Sequence, residues 1–192
     1  MSTKKLIRWG GLAVILAGLG SIVIWVLDLA IGEQRSITTD SIGFVIMLFF
    51  VFGTMGIYAC QVNESGLTGF WGFLLVTISN CTLIGQTWLT ETEELASLIS
   101  NLDMLGGLTG VLGYTLLGIG SLKAGILPKW AVWLWIIGYL ISFVMMLVYV
   151  MGVEVAYDIS RFAVVIWGIG WTGVGVRLIF LPSETISTQA NA

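Results

Sequence analysis

Leu6–Ala30 reads LIRWGGLAVILAGLGSIVIWVLDLA, an apolar run whose only charges are Arg8 near its start and Asp28 near its end. A bilayer core about 30 Å thick is crossed by roughly 20 apolar residues of helix, so this stretch is long enough to span one. The apolar run from Leu12 onward outlasts the 7–15 residues typical of a secretory signal core, and it reads as an uncleaved first span. Five further stretches of the same kind follow: Ser41–Cys60, Gly69–Leu89, Leu102–Leu122, Trp130–Met151 and Ile159–Leu181. Lipid offers the backbone no hydrogen-bond partner, so each segment must satisfy its own N–H and C=O groups by forming a helix. The ten-residue alternating segments of a membrane β-barrel do not occur. The expected fold class is all-α, a polytopic transmembrane bundle of six helices over residues 1–182. Pro182 ends the last helix and a polar tail, 183–192, follows.

Composition agrees. The chain has 192 residues, is 57% hydrophobic and 10% charged, and has a mean hydropathy of +1.00. A soluble domain carries about 25% charged residues; with 8 basic and 11 acidic side chains this surface cannot be kept in water. Its solvent is the lipid bilayer. The absence of His excludes imidazole-ligated haem, His-bound zinc or copper and a His general base. Two Cys make neither a disulfide scaffold nor a four-thiolate metal site. A net charge of −3 leaves no basic face for nucleic acid.

Orientation follows from Lys and Arg near the span ends. With the N-terminus inside, Lys4, Lys5, Arg8, Lys123, Lys129 and Arg177 are cytoplasmic, and only Arg35 and Arg161 lie outside. Both termini are therefore expected in the cytoplasm, in a multi-pass protein of the cell (inner) membrane. The longest connection, 91–101, admits two readings. Leu95, Leu98, Ile99 and Leu102 recur at helical spacing, and capping patterns begin at Thr90 and Ser100; this fits a short helix on the outer surface and then a fresh start for span four. Alternatively, span three continues past the membrane. The odd-numbered spans each begin with Trp and a small residue (Trp9-Gly10, Trp71-Gly72, Trp130-Ala131), which fits either three repeated hairpins or the ordinary enrichment of Trp at membrane interfaces.

Helical spacing groups residues by face. On span one, Gly10, Ala13, Ala17, Ser21 and Asp28 share a narrow arc. On span four, Gly106, Gly110, Gly113 and Gly120 form a stripe that fits a neighbouring backbone or a flat ligand. On span six, Arg161, Gly168, Thr172 and Gly175 share a face. Small residues on such faces mark close helix contacts in lipid. Span three is the polar one: Ser79, Thr82, Gln86 and Thr90 lie together, with Asn80 and Thr87 on the flank. Asn and Gln are not placed against lipid when an alternative exists, so this stripe serves interhelical hydrogen bonds or lines a path for a neutral polar solute. Asp28 and Arg161 end and begin inward faces at the same outer boundary. They are expected to pair with each other or, failing that, Asp28 with Gln86.

Chemistry is sparse. Gly168-Ile-Gly170-Trp-Thr-Gly173 matches the dinucleotide fingerprint in letters, but that motif needs a preceding strand and an aqueous turn, and this one sits inside an apolar helix. Asn63-Glu-Ser and Asn80-Cys-Thr fit the glycosylation pattern; one is placed in the cytoplasm and the other within a span. No carboxylate pair and no Lys lies at mid-depth, and no Ser has a base beside it to activate it. Neither an enzyme nor a bound cofactor or metal is expected.

The turn Gly120-Ser-Leu-Lys123-Ala-Gly-Ile-Leu-Pro128-Lys129-Trp130-Ala131 and the opening Arg8-Trp-Gly-Gly-Leu-Ala resemble segments of small six-span bacterial membrane proteins without an assigned activity. The likeness covers about thirty residues, together with length and span count. It implies architecture and bacterial origin, and no residue role. Functionally, the stripes of small residues favour a non-catalytic accessory or assembly subunit that packs against other membrane proteins or itself. The alternative is a channel or carrier for a small neutral solute, lined by span three.

Overall fold

The computed structural model describes the backbone of residues 3–31, 37–86 and 93–182, with the side chains of 28–31, 37–40, 85–86, 93–101 and 103 left aside. Six helices make up the fold: α1 (Thr3–Ile31), α2 (Ile37–Ala59), α3 (Gly66–Gln86), α4 (Glu93–Ala124), α5 (Lys129–Val150) and α6 (Val155–Ile179). Each is long and apolar enough to cross a membrane, and no strand occurs among the described residues. The chain is an integral membrane protein built as a helical bundle.

Each helix packs on its neighbours in sequence, and α6 closes back onto α1, so the six form a ring. Packing is dense between α3 and α4, α5 and α6, α1 and α6, and α1 and α2; α2–α3 and α4–α5 meet more sparsely. Glycine makes the dense contacts close. A Cβ on Gly10 would lie 2.5 Å from the Gly56 Cα, and one on Gly138 would lie 2.6 Å from the Trp167 backbone nitrogen. Between lipid-solvated helices such backbone approach replaces the hydrophobic effect as the source of adhesion. The Gly10–Gly56 and Gly120–Gly69 contacts join helix starts to helix ends, so chain neighbours run antiparallel. The starts of α1, α3 and α5 share one end of the ring with Lys4, Lys5, Arg8, Lys123, Lys129 and Arg177. Trp9, Trp71 and Trp130 are exposed at this basic end, as suits rings anchored at a headgroup layer. There the Gly125 N–H donates to the Ser121 carbonyl (3.1 Å) with φ +68, stopping α4 in the left-handed conformation that glycine tolerates.

One expectation is corrected. The segment 93–101 is neither a separate surface helix nor an extension of α3; it forms the first turns of α4, which runs unbroken to Ala124. No Pro interrupts it, and at 32 residues α4 is about 48 Å long. Thr90 and the tail 183–192 lie outside the described residues.

Aromatic side chains fill the centre of the ring. Phe50, Tyr114, Tyr139, Trp135, Trp167 and Trp171 touch one another with centroid spacings of 4.4 to 5.9 Å. Trp135, Trp171 and Phe50 are fully buried. Rings this large close the bundle where six cylinders would leave a gap.

Candidate functional site

The inward face of α4 carries Tyr114, Leu117 and Ser121, spaced three and four apart and buried. Tyr114 stands at mid-depth. Its hydroxyl donates to the Asn80 Oδ1 on α3 at 3.0 Å, and its backbone carbonyl accepts from the Trp135 Nε1 on α5 at 3.0 Å. Its ring meets Trp167 and Trp171 of α6 edge-on, at 5.6 and 5.7 Å between centroids. About two turns along α4 toward the end opposite the basic one, the Ser79 hydroxyl donates to the Gly106 carbonyl at 2.7 Å. A Cβ on Gly110 would overlap the Tyr139 hydroxyl and crowd that of Ser79. At the basic end, the turn between α2 and α3 reaches α4: the Gln61 Nε2 donates to the Ser121 Oγ at 2.8 Å, and the Ser121 hydroxyl in turn donates to the Leu117 carbonyl at 2.8 Å.

Hydrogen bonding along this face is incomplete. Gln61 Oε1, Ser65 Oγ, Asn80 Nδ2, Trp167 Nε1 and Trp171 Nε1 are buried without a partner. All five border α4. Gln61 does so through Ser121, Ser65 beside Gly120, and Asn80 and the two indoles around Tyr114. An unpaired polar group in an apolar interior costs about 1–3 kcal/mol, and here lipid rather than water surrounds the bundle. The face is thus a polar track from the basic end to mid-depth. Asp, Glu, Lys and Arg are absent from its bordering residues named above.

The residues singled out in sequence fall as follows. Ser79 and Asn80 are buried on the α3 side of the track. Thr82 donates to its own helix, at the Ile78 carbonyl (2.8 Å), and only its methyl borders Gly106. Gln86 ends α3 and Asp28 lies near the end of α1; the side chains of both are outside the described residues. The Arg161 guanidinium lies 4.1 Å from the Tyr157 ring centroid and 5.7 Å from that of Trp25 on α1. A Cβ on Gly113 would come within 2.5 Å of the Val76 backbone nitrogen, whereas one on Gly106 would find ordinary contacts at 3.5 Å or more. Gly168 and Gly175 press on α1 at the carbonyls of Gly18 and Gly11 (2.8 and 2.7 Å from a Cβ). The polar stripe of span three and the glycine stripe of span four therefore meet each other, while the stripe of span six serves α1.

Gln61, Ser65, Tyr114, Ser121, Trp167 and Trp171 escaped the sequence reading. Ser121 sits seven residues after Tyr114, a spacing that puts both on one helical face; the indoles carry no such signal, because a Trp in a span suits lipid, interface or core equally. Cys60, in the turn just past α2, donates its thiol to the Ile57 carbonyl at 3.1 Å. Burial, helped by the charge of Glu64, pushes its pKa up to about 12, so it presents no thiolate nucleophile near neutral pH. Among the described residues no cluster of His, Cys, Asp and Glu suits a metal ion. No family model, curated protein or solved structure matches this chain.

Proposed function

We propose that the chain is a non-catalytic, multi-pass protein of a bacterial inner membrane, with both termini cytoplasmic, that conducts small neutral polar solutes along α4. The observation behind this reading is that, among the described residues, Gln61, Ser65, Asn80, Trp167 and Trp171 each bring a buried polar atom without a partner to the border of that one helix. Spread through a lipid-solvated bundle, such groups are a pure cost. Gathered along the helix whose contact with α5 is sparse, they suit a path that water or solute enters when the α3–α4 pair parts from α5 and α6. The aromatic centre would then be the closed gate. Lack of formal charge along the track favours neutral solutes, since an ion there would need a compensating charge. Purified protein in liposomes, tested by osmotic reswelling in glycerol or urea and followed by light scattering, is expected to reswell faster than protein-free vesicles. Rates equal to those of protein-free vesicles for both solutes would overturn the reading.

The accessory-subunit reading stands second. The small-residue stripes that motivated it hold the chain's own helices together, so its support is a different feature. An apolar groove of about 430 Å³ opens between the outer halves of α1 and α2, lined by Leu16, Gly20, Ile42, Val45, Ile46 and Phe49. A helix of another membrane protein fits such a groove. Recovery of a defined complex by native pull-down in mild detergent, lost on Val45→Trp, would favour it over conduction.

A further inference from the structure

We infer that the centre of the α4 track, around Asn80, Trp167 and Trp171, binds a small neutral molecule through a carbonyl-type acceptor oxygen. This deepens the conduction reading by giving the path a recognition site and a solute class. Donors and acceptors do not balance at this point of the bundle. The Asn80 Oδ1 accepts from the Tyr114 hydroxyl at 3.0 Å, which leaves the amide nitrogen as the free end of that side chain. The Trp167 and Trp171 indoles each carry a buried N–H without an acceptor. All three are within a tenth of full burial, at 1%, 7% and 0% exposure. Trp135, by contrast, spends its N–H on the Tyr114 carbonyl. Around Tyr114 the groups left without a partner are therefore N–H donors, and what complements them is an acceptor.

The identity of the acceptor is narrowed by charge. A cation would meet the N–H groups of Asn80 and the indoles at mid-depth with no carboxylate beside them. An anion would be desolvated at mid-depth with no Lys or Arg beside it. A neutral amide or urea oxygen, with two lone pairs, takes one N–H from Asn80 and another from an indole. The indoles meet neighbouring rings edge-on, Trp171 at 89° to Phe50 and Trp167 at 88° to Tyr114.

The test uses the full-length protein in nanodiscs, with acetamide as the probe and acetate and methylammonium as charged molecules of similar size. The readout is near-ultraviolet circular dichroism, to which the close indoles at Trp135, Trp167 and Trp171 contribute. The expected result is a saturable change with acetamide alone. Asn80→Leu should weaken it about tenfold, the worth of one hydrogen bond. Trp167→Phe keeps a ring, leaves the Tyr114–Asn80 bond in place, and should weaken it similarly; it serves where Asn80→Leu does not fold. A response to acetate or methylammonium of equal strength, or one unchanged in a folded variant, overturns the site. Acetamide flux into liposomes without a saturable signal also overturns the site while conduction survives. Binding without flux overturns conduction while the site stands.

Discussion

Gly113 and Gly106 lie two turns apart on α4 and differ in what surrounds them. A side chain at Gly113 would drive into the Val76 backbone, which α3 cannot withdraw without moving as a whole. Gly113→Leu is expected to destabilise the protein by about 3 kcal/mol, the upper range for overpacking. At Gly106 a methyl group finds ordinary contacts, and Ala is the better helix former by about 1 kcal/mol. Gly106→Ala should therefore be neutral or slightly stabilising. Thermal unfolding in detergent separates the two; a Gly113→Leu protein that melts with wild type would remove the close-packing argument. The sequence showed that both glycines share a face. It could not show which of them meets backbone, because that depends on the axial offset between α3 and α4.

Among the elements, α1 and α6 are joined along their length. Gly11, Gly18, Gly168 and Gly175 seal the lower and middle parts, and Arg161 reaches Trp25 at the outer part. A guanidinium over an aromatic face is worth about 0.5–2 kcal/mol. Asp28 follows Trp25 by three residues, within the same helical face. An Asp28–Arg161 interaction is therefore expected to add to the cation–π contact. Asp28→Asn, Arg161→Gln and the double variant, compared by thermal stability, should show a coupling of about 1 kcal/mol, with the double less damaged than the sum. Strict additivity would end the idea. Close packing of α1 was legible from its small-residue arc, of which Gly10 meets α2 at Gly56, whereas Gly11 and Gly18, outside that arc, meet α6; the order of helices around the ring was not legible, since short loops allow more than one closed arrangement.

For the whole molecule, the decisive measurement is sidedness. Antiparallel neighbours gather Lys4, Lys5, Arg8, Lys123, Lys129 and Arg177 at one end of the ring, with Arg161 at the other. Arg177 also ties that end together by donating from Nε to the Ile126 carbonyl at 3.4 Å. Cations near span ends are retained on the cytoplasmic side, so Cys placed at Lys129 should be labelled only from the cytoplasm and Cys placed at Glu93 only from outside. Labelling of both from one side would contradict the arrangement.

Sequence alone determined that this is a membrane protein of six helical spans, because hydropathy and span length answer directly to the thickness of the bilayer and to the backbone's need for internal hydrogen bonds. It also picked out Ser79 and Asn80 as polar groups turned away from lipid. Tertiary structure alone decided what those groups face. Asn80 on α3 meets Tyr114 on α4, and Tyr114 meets Trp167 and Trp171 on α6, a meeting of residues as many as 91 positions apart that no local period encodes. The same holds for Gln61, an unremarked turn residue until the α2–α3 turn folds against Ser121. Periodicity reports the face on which a side chain lies; only the packing of one helix against another settles whether a buried donor there finds an acceptor.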